Sequence, residues 1–468
     1  MKPCVHIALV CAALVGTEAA AQSVADSGPV TGPTATRVDG RLSLRDAYST
    51  DNQTEHDVHI LFLDTDIRGR NLADIGGGTL HFRLDGRFLY DLTGDEVVSQ
   101  SEYSSQVVKR NERRFGETQT FADVRELRVD LEGLGSVDVG LGRQWFASAG
   151  GAWVDGGSVR VRFGDDWSTS VFGGLQPDPF DYLPTLDRQT GGAFVAYEGL
   201  NAQSSFGYTL TVFDGRLDRH WVFSRGHWAV PAGEWAKSLH LSYYLSTDLQ
   251  GETPVVTAGF LNASYWLNET LNFSTHYARF ATVKLRDLRQ QGFNPDLQQQ
   301  GVLGQAVNTG SYDQLRLSAT QRYNHYNLYQ QIDFRQRDTI DRRSAIYYRA
   351  GVRDSAFLGT QLWLHGRVTL RNNFQSDSTE YLAESGYRFG DSFSLEGALI
   401  FQTGRAVGAQ QAQDVYLGNL AGTFDVTPDF YLTLDYEAAL ETNVLQEEDE
   451  TAGDLLVHTV FARVTYRL

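Results

Sequence analysis

A chain of 468 residues could hold two or three ordinary domains, but its net charge of −18 denies it the basic surface that nucleic acid requires. Past its start, no stretch approaches the roughly 18 consecutive apolar residues of a membrane helix, and mean hydropathy is −0.32. Aromatic residues at 12% and 46 glycines favour strands and tight turns, so an all-β protein is expected.

The N-terminus reads as a processing signal. Lys2 gives a positive start, residues 5–16 (VHIALVCAALVG) form a short apolar stretch, and Ala19-Ala20-Ala21 precede Gln22 as a cleavage site. Residues 1–21 are therefore expected to be a signal peptide. A lipid-attachment reading of Cys11 conflicts with the bulky Val10 before it. Cys4 and Cys11 are the only cysteines, which leaves the mature chain no disulfide, thiolate metal site or cysteine nucleophile. Residues 22–36, rich in Gly, Pro and Thr, read as a short flexible periplasmic segment, too short for a folded plug.

From residue 37 to 468 the chain alternates. In GTLHFRLDGRFLYD (78–91), Leu80, Phe82, Leu84, Phe88 and Tyr90 share one face of an extended chain, and His81, Arg83, Asp85 and Arg87 share the other. Such runs predict strands at 37–48, 56–69, 78–91, 119–132, 135–147, 156–164, 165–175, 189–199, 204–214, 218–230 and 233–247. They continue at 254–268, 269–284, 310–324, 325–337, 341–354, 358–371, 377–390, 392–404, 413–426, 429–441 and 454–468. Many exceed the five or six residues usual in soluble sheets and suit a tilted membrane crossing of about nine to eleven. Connections after odd-numbered strands include the long segments 92–118, 176–188, 285–309, 405–412 and 442–453, whereas those after even-numbered strands are tight. That rhythm belongs to a barrel with both ends in the periplasm. The expected fold is thus all-β: one transmembrane antiparallel up-and-down β-barrel over 37–468, with 18–22 strands, best counted as 22, and no plug domain. A closed barrel pairs every backbone amide between strands, so only half its residues need be apolar.

The last run, LLVHTVFARVTYRL, sets Val460, Ala462, Val464, Tyr466 and Leu468 against Thr459, Arg463, Thr465 and Arg467. It resembles the C-terminal signal that outer-membrane barrels present to their insertion machinery, with Leu468 in place of the usual Phe or Trp. The segment 124–164 resembles the early strands of Gram-negative porins. It carries Leu127, Val129 and Leu131 in an alternating strand, Gly133 and Gly135 in a tight turn, then Gly142-Arg143-Gln144 and Asp155-Gly156. The resemblance covers about 40 residues and implies an outer-membrane channel of a Gram-negative bacterium, with no named solute.

If the apolar faces meet lipid, the pore receives Arg160, Arg162, Arg316, Arg322, Arg335, Arg349, Arg353, Arg367, Arg371, Arg388, Arg463 and Arg467, together with Glu126, Asp130, Glu384, Glu396, Asp435 and Glu437. Arginines concentrate between about 310 and 390, and a basic strip in a low-dielectric wall concentrates anions. The alternative is that these charges pair across strands and merely solvate the lumen. Tyr243, Tyr244, Tyr347, Tyr348, Trp145, Trp228, Trp235 and Trp266 are expected in aromatic girdles. Inward-folded loops are expected at 92–118, 285–309 and 176–188. Catalysis is not indicated: His240 and Ser242 share a face in LHLSYY, a spacing that chance supplies on a polar wall. No cofactor or metal is expected. The partners expected are outer-membrane lipid with lipopolysaccharide and the insertion machinery; a homo-oligomer is left open. Passive diffusion of small hydrophilic solutes is the first functional expectation. The competing one is a non-conducting barrel that sheathes a partner protein or acts as an adhesin.

Overall fold

The computed structural model describes residues 36–52, 58–92, 120–149, 151–177, 184–233, 236–250, 253–281, 311–337, 344–374, 376–406, 412–445 and 452–468. The expected signal peptide and nearly all of the flexible segment lie outside them.

Among the described residues 22 long strands follow one another. The first eleven are β1 Arg37–Asp51, β2 Val58–Arg70, β3 Gly78–Asp91, β4 Thr120–Leu134, β5 Val137–Phe146, β6 Ala152–Phe163, β7 Trp167–Pro177, β8 Pro184–Glu198, β9 Ala202–Phe213, β10 Arg216–Gly233 and β11 Ala236–Asp248. The rest are β12 Val255–Trp266, β13 Leu271–Ala281, β14 Ser311–Tyr323, β15 Tyr326–Arg337, β16 Ser344–Asp354, β17 Leu362–Asn372, β18 Ser376–Phe389, β19 Phe393–Ala406, β20 Gln413–Thr427, β21 Phe430–Leu445 and β22 Ala452–Arg467. Each pairs antiparallel with the next. β22 returns to β1 in a register running from Arg41↔Arg467 to Asp51↔Val457, and the sheet closes. Closure leaves no edge strand exposed.

The turns at the end carrying both termini are shaped by residues that tolerate a left-handed backbone, such as Gly133 (φ 80) and Gly135 (φ 66) between β4 and β5. The expected alternation of long and tight connections is broken in four places. After β9 the chain reverses through Asp214 (φ 49) and Gly215 (φ 67), a two-residue turn with both positions left-handed that matches strand twist without any loop. Only residues 373–375 intervene after β17, whereas the connections 71–77 after β2 and 355–361 after β16 are long, the latter with a 3-10 turn, Phe357–Gly359. The proposed inward loops 92–118 and 285–309 fall almost wholly outside the described residues; of 176–188, the flanks belong to β7 and β8 and the middle lies outside.

Outward positions carry the apolar residues. Leu141, Val171, Phe206 and Leu399 are each more than half exposed, far from the burial that such side chains take in a soluble protein. The largest buried apolar cluster lies instead on the polar side of the wall, where Ala149, Val154, Phe172, Trp221 and Phe223 come together. It is built by a 3-10 turn, Ala147–Ala149, which leaves β5 and folds across the inner face of β8 and β9. There Thr209 Oγ1 donates to the Ala149 carbonyl at 3.2 Å. Phe146 stacks on Phe172 at 4.4 Å between ring centres, and Phe194 and Phe223 continue the row.

Candidate functional site

The inner wall is sorted by charge around its circumference. From β7 to β13 it is rich in hydroxyls and amides, with a few charges such as Arg188, Glu198, Arg225 and the Arg219–Asp248 pair at 2.9 Å: Asn262 donates to Ser242 at 3.2 Å, Asn272 to Ser264 at 3.0 Å, Ser274 meets Ser318 of β14 at 2.6 Å, and His276 hydrogen-bonds Asn262. From β14 to β18 it is basic. Register places Arg316, Arg322, Arg335, Arg337, Arg349, Arg353, Arg367, Arg371 and Arg388 on one face, with only Asp333, Glu380 and Glu384 as acids there. From β19 to β21 the same face holds Glu396, Asp435, Glu437 and Glu441 and no basic residue.

The sequence-derived pore residues all fall on this polar face, but their surroundings divide them. Arg160 meets Glu198 at 2.8 Å, Arg162 meets Asp138 at 2.6 Å, Glu126 takes Arg83 at 2.5 Å and Asp130 takes Arg128 at 3.1 Å. Asp333, almost fully buried, holds Arg316 at 2.7 Å and Arg335 at 3.4 Å. Glu380 holds Arg367 at 2.8 Å and also Arg371. Arg322 lies over Trp266 at 5.0 Å and Arg353 over Trp363 at 4.7 Å, each guanidinium covering an aromatic face. Arg388 bonds the carbonyls of Gly390 and Asp391 and so belongs to a turn at the rim. Arg349 differs from all of these. It makes no ion pair or ring contact among the described residues, although the Glu380 carboxylate acts on it electrostatically, and its Nε, like those of Arg335 and Arg367, is buried without a hydrogen-bond acceptor. In the acidic sector Asp435 accepts from Asn419 at 2.5 Å, while Glu396 and Glu437 meet no cation among the described residues. Cross-strand pairing thus accounts for many of the charges and leaves Arg349, Glu396 and Glu437 on the inner face without an ion pair among the described residues.

Two arrangements escaped sequence reasoning. The inward turn is one; its only trace is that Phe172, Phe194 and Phe223 occupy positions of polar parity. The other is a relay on the basic wall, in which Glu384 holds His365 Nδ1 at 2.7 Å and His365 Nε2 meets the Tyr329 hydroxyl at 2.7 Å. The expected girdle also divides. Trp145 and Tyr348 are outward and exposed, and Trp228 stacks on Tyr243 at 5.1 Å on the outer face. Tyr244, Tyr347 and Trp266 have inward parity, with Arg335 lying 3.9 Å over the Tyr347 ring. Trp235 lies outside the described residues. Aromatics that do form a band at the end carrying the termini include Phe163, Trp167, Tyr323 and Phe389, all exposed.

An edgeless antiparallel cylinder, greasy outside and charged inside, with aromatics at its rim, satisfies the constraints that a bilayer places on strands. This is a closed barrel of the membrane-spanning kind. In the barrel the Arg-Gln and Asp-Gly motifs take defined parts: Arg143 forms a two-pronged ion pair with Asp155 at 2.6 Å, and Gln144 accepts from Ser158 at 2.8 Å beneath the inward turn. No protein-family model and no curated protein matches the chain. Among solved structures it is similar to Acinetobacter baumannii OccAB4, with 10% identity and a TM-score of 0.42 over 94% of this chain and 100% of that one. It is also similar to Pseudomonas aeruginosa OccK5 (OpdH), with 9% identity and a TM-score of 0.43 over 92% of this chain and 98% of that one.

Proposed function

We propose that the barrel is a passive diffusion channel for small hydrophilic solutes and ions, with a preference for anions on the β14–β18 side. The observation that carries this reading is the surplus of inward arginines there, with Arg349 in no ion pair among the described residues. A fixed charge in a low-dielectric wall raises the local concentration of its counter-ion without a binding step that would trap it. The adjoining acidic sector on β19–β21 sets a field along the wall between the two sectors that orients dipolar solutes. No plug domain occupies the lumen among the described residues.

Planar-bilayer recording of the purified protein tests the proposal. Stepwise conductance is expected, with a reversal potential in a potassium chloride gradient displaced toward the chloride equilibrium value. Absence of steps at any protein concentration would remove the channel; steps with cation preference would remove the role given to Arg349.

A further inference from the structure

The closing seam carries a charge pattern that the rest of the wall balances. On the inner face β1 and β22 set Arg41 opposite Arg467 and Arg45 opposite Arg463, with Ser43 opposite Thr465 between them. Like charges directly across an antiparallel pair destabilise it. Elsewhere an acid answers each such contact: in the row Arg68, Arg83, Arg128, the arginines are held by Asp66 at 3.3 Å, Glu126 at 2.5 Å and Asp130 at 3.1 Å. At the seam the answer is incomplete. Arg45 reaches Asp64 only at 3.9 Å and lies over Phe62, and Arg467 lies over Tyr431 at 5.0 Å. Arg41 and Arg463 are exposed and have no carboxylate partner among the described residues. Asp66 stands across from Arg41 on β2 but is engaged by Arg68.

These groups surround a recess of about 270 Å³ lined by five arginines and three aspartates, an excess of two positive charges. All three aspartates are taken already, Asp64 by Arg87 at 2.5 Å, Asp85 by Arg125 at 3.1 Å and Asp66 by Arg68 at 3.3 Å. At its base the buried hydroxyls of Ser43 and Thr465 meet at 3.0 Å, and Tyr431 forms a further side. We propose that this recess binds a doubly charged oxyanion, either inorganic phosphate or the phosphate group of a small ester, near the mouth where both chain ends lie. A dianion matches the excess charge, and the planar guanidinium fork donates two parallel N–H bonds to phosphate oxygens. The recess lies on other strands than the basic sector of β14–β18 and does not depend on it.

Calorimetric titration of the detergent-solubilised barrel with phosphate and with glycerol 3-phosphate, in chloride buffer, tests the assignment. Saturable binding is expected, weakened by roughly tenfold or more in Arg41→Gln/Arg463→Gln, since each lost charge-assisted bond is large on this scale, and retained in Arg349→Gln. Tighter binding of the ester identifies an organic phosphate as the occupant; equal or weaker binding identifies the free ion. Removing like charges should let the seam close, and heat-modifiable gel mobility reports that it has; the single variant Arg463→Gln gives the same reading if the double variant fails to fold. No saturable binding by the folded wild-type protein, or binding lowered by Arg349→Gln and untouched by the seam variants, overturns the proposal. An open channel with no phosphate binding sinks this inference and leaves the channel standing; a silent bilayer with phosphate binding does the reverse.

Discussion

Between Gln331 and Thr369, its neighbours across the two adjoining strands, Arg349 finds an amide and a hydroxyl but no acid. Arg367, one strand away, spends its charge on Glu380. Replacing Arg349 with Gln should therefore lower anion-over-cation permeability by roughly half, read as a shift in reversal potential, whereas Arg367→Gln should shift it less because it also frees Glu380. At Asp155 the ion pair itself is the issue. Arg143 and Asp155 are only 11% and 16% exposed, so Asp155→Ala leaves a shielded guanidinium unpaired. A loss of about 3–5 kcal/mol in urea-unfolding stability is expected, with Asp155→Glu recovering part of it. Gly207 is fixed by close approach: a Cβ there would meet the Ala193 carbonyl and the Phe194 Cβ, each at 2.5 Å, and the Phe223 ring at 2.6 Å. Such positions are invisible in the sequence, where Gly207 reads as one more glycine in an alternating run.

Strands were legible because two constraints coincide, the two-residue side-chain period and the length needed to cross hydrocarbon. The run read at 310–324 forms Ser311–Tyr323, and that at 413–426 forms Gln413–Thr427. The start of β6 was missed because it extends to Ala152 through a pairing of Trp153 with Trp145, whose rings lie 5.5 Å apart, and no local pattern announces it. Inward parity was equally legible; the partner of each inward charge was not, since it depends on register between strands far apart in sequence, as with Arg160 and Glu198. The inward turn shows the same limit. Its seat consists of aromatics from β7, β8 and β10 that only the register of four successive strands brings together. Phe223→Ala should remove about 3–5 kcal/mol of stability and release Ala147–Ala149 from the wall, raising single-channel conductance. Loss of stability with unchanged conductance would show that the turn does not narrow the path.

Around the whole cylinder, a basic sector on β14–β18, an acidic one on β19–β21 and the arginine seam at β22 and β1 succeed one another, with the ion-paired wall of β2–β6 and the hydroxyl-rich wall of β7–β13 completing the circuit. In the proposed channel the acids of the middle sector would act on passing ions and not on the wall, because Glu396 and Glu437 meet no cation among the described residues and Asp435 meets only the Asn419 amide there. Their combined neutralisation, Glu396→Gln with Asp435→Asn and Glu437→Gln, should raise anion selectivity. The size of that change depends on salt. At about 0.1 M the screening length is near 10 Å, so wall charges reach well into the lumen, and at about 1 M it falls to near 3 Å. The triple variant should therefore differ clearly from the wild-type channel in reversal potential at the lower salt and hardly at all at the higher. A difference that persisted at the higher salt would mean that permeating ions touch these carboxylates directly, which would place the conducting path against β19–β21 and away from the arginines.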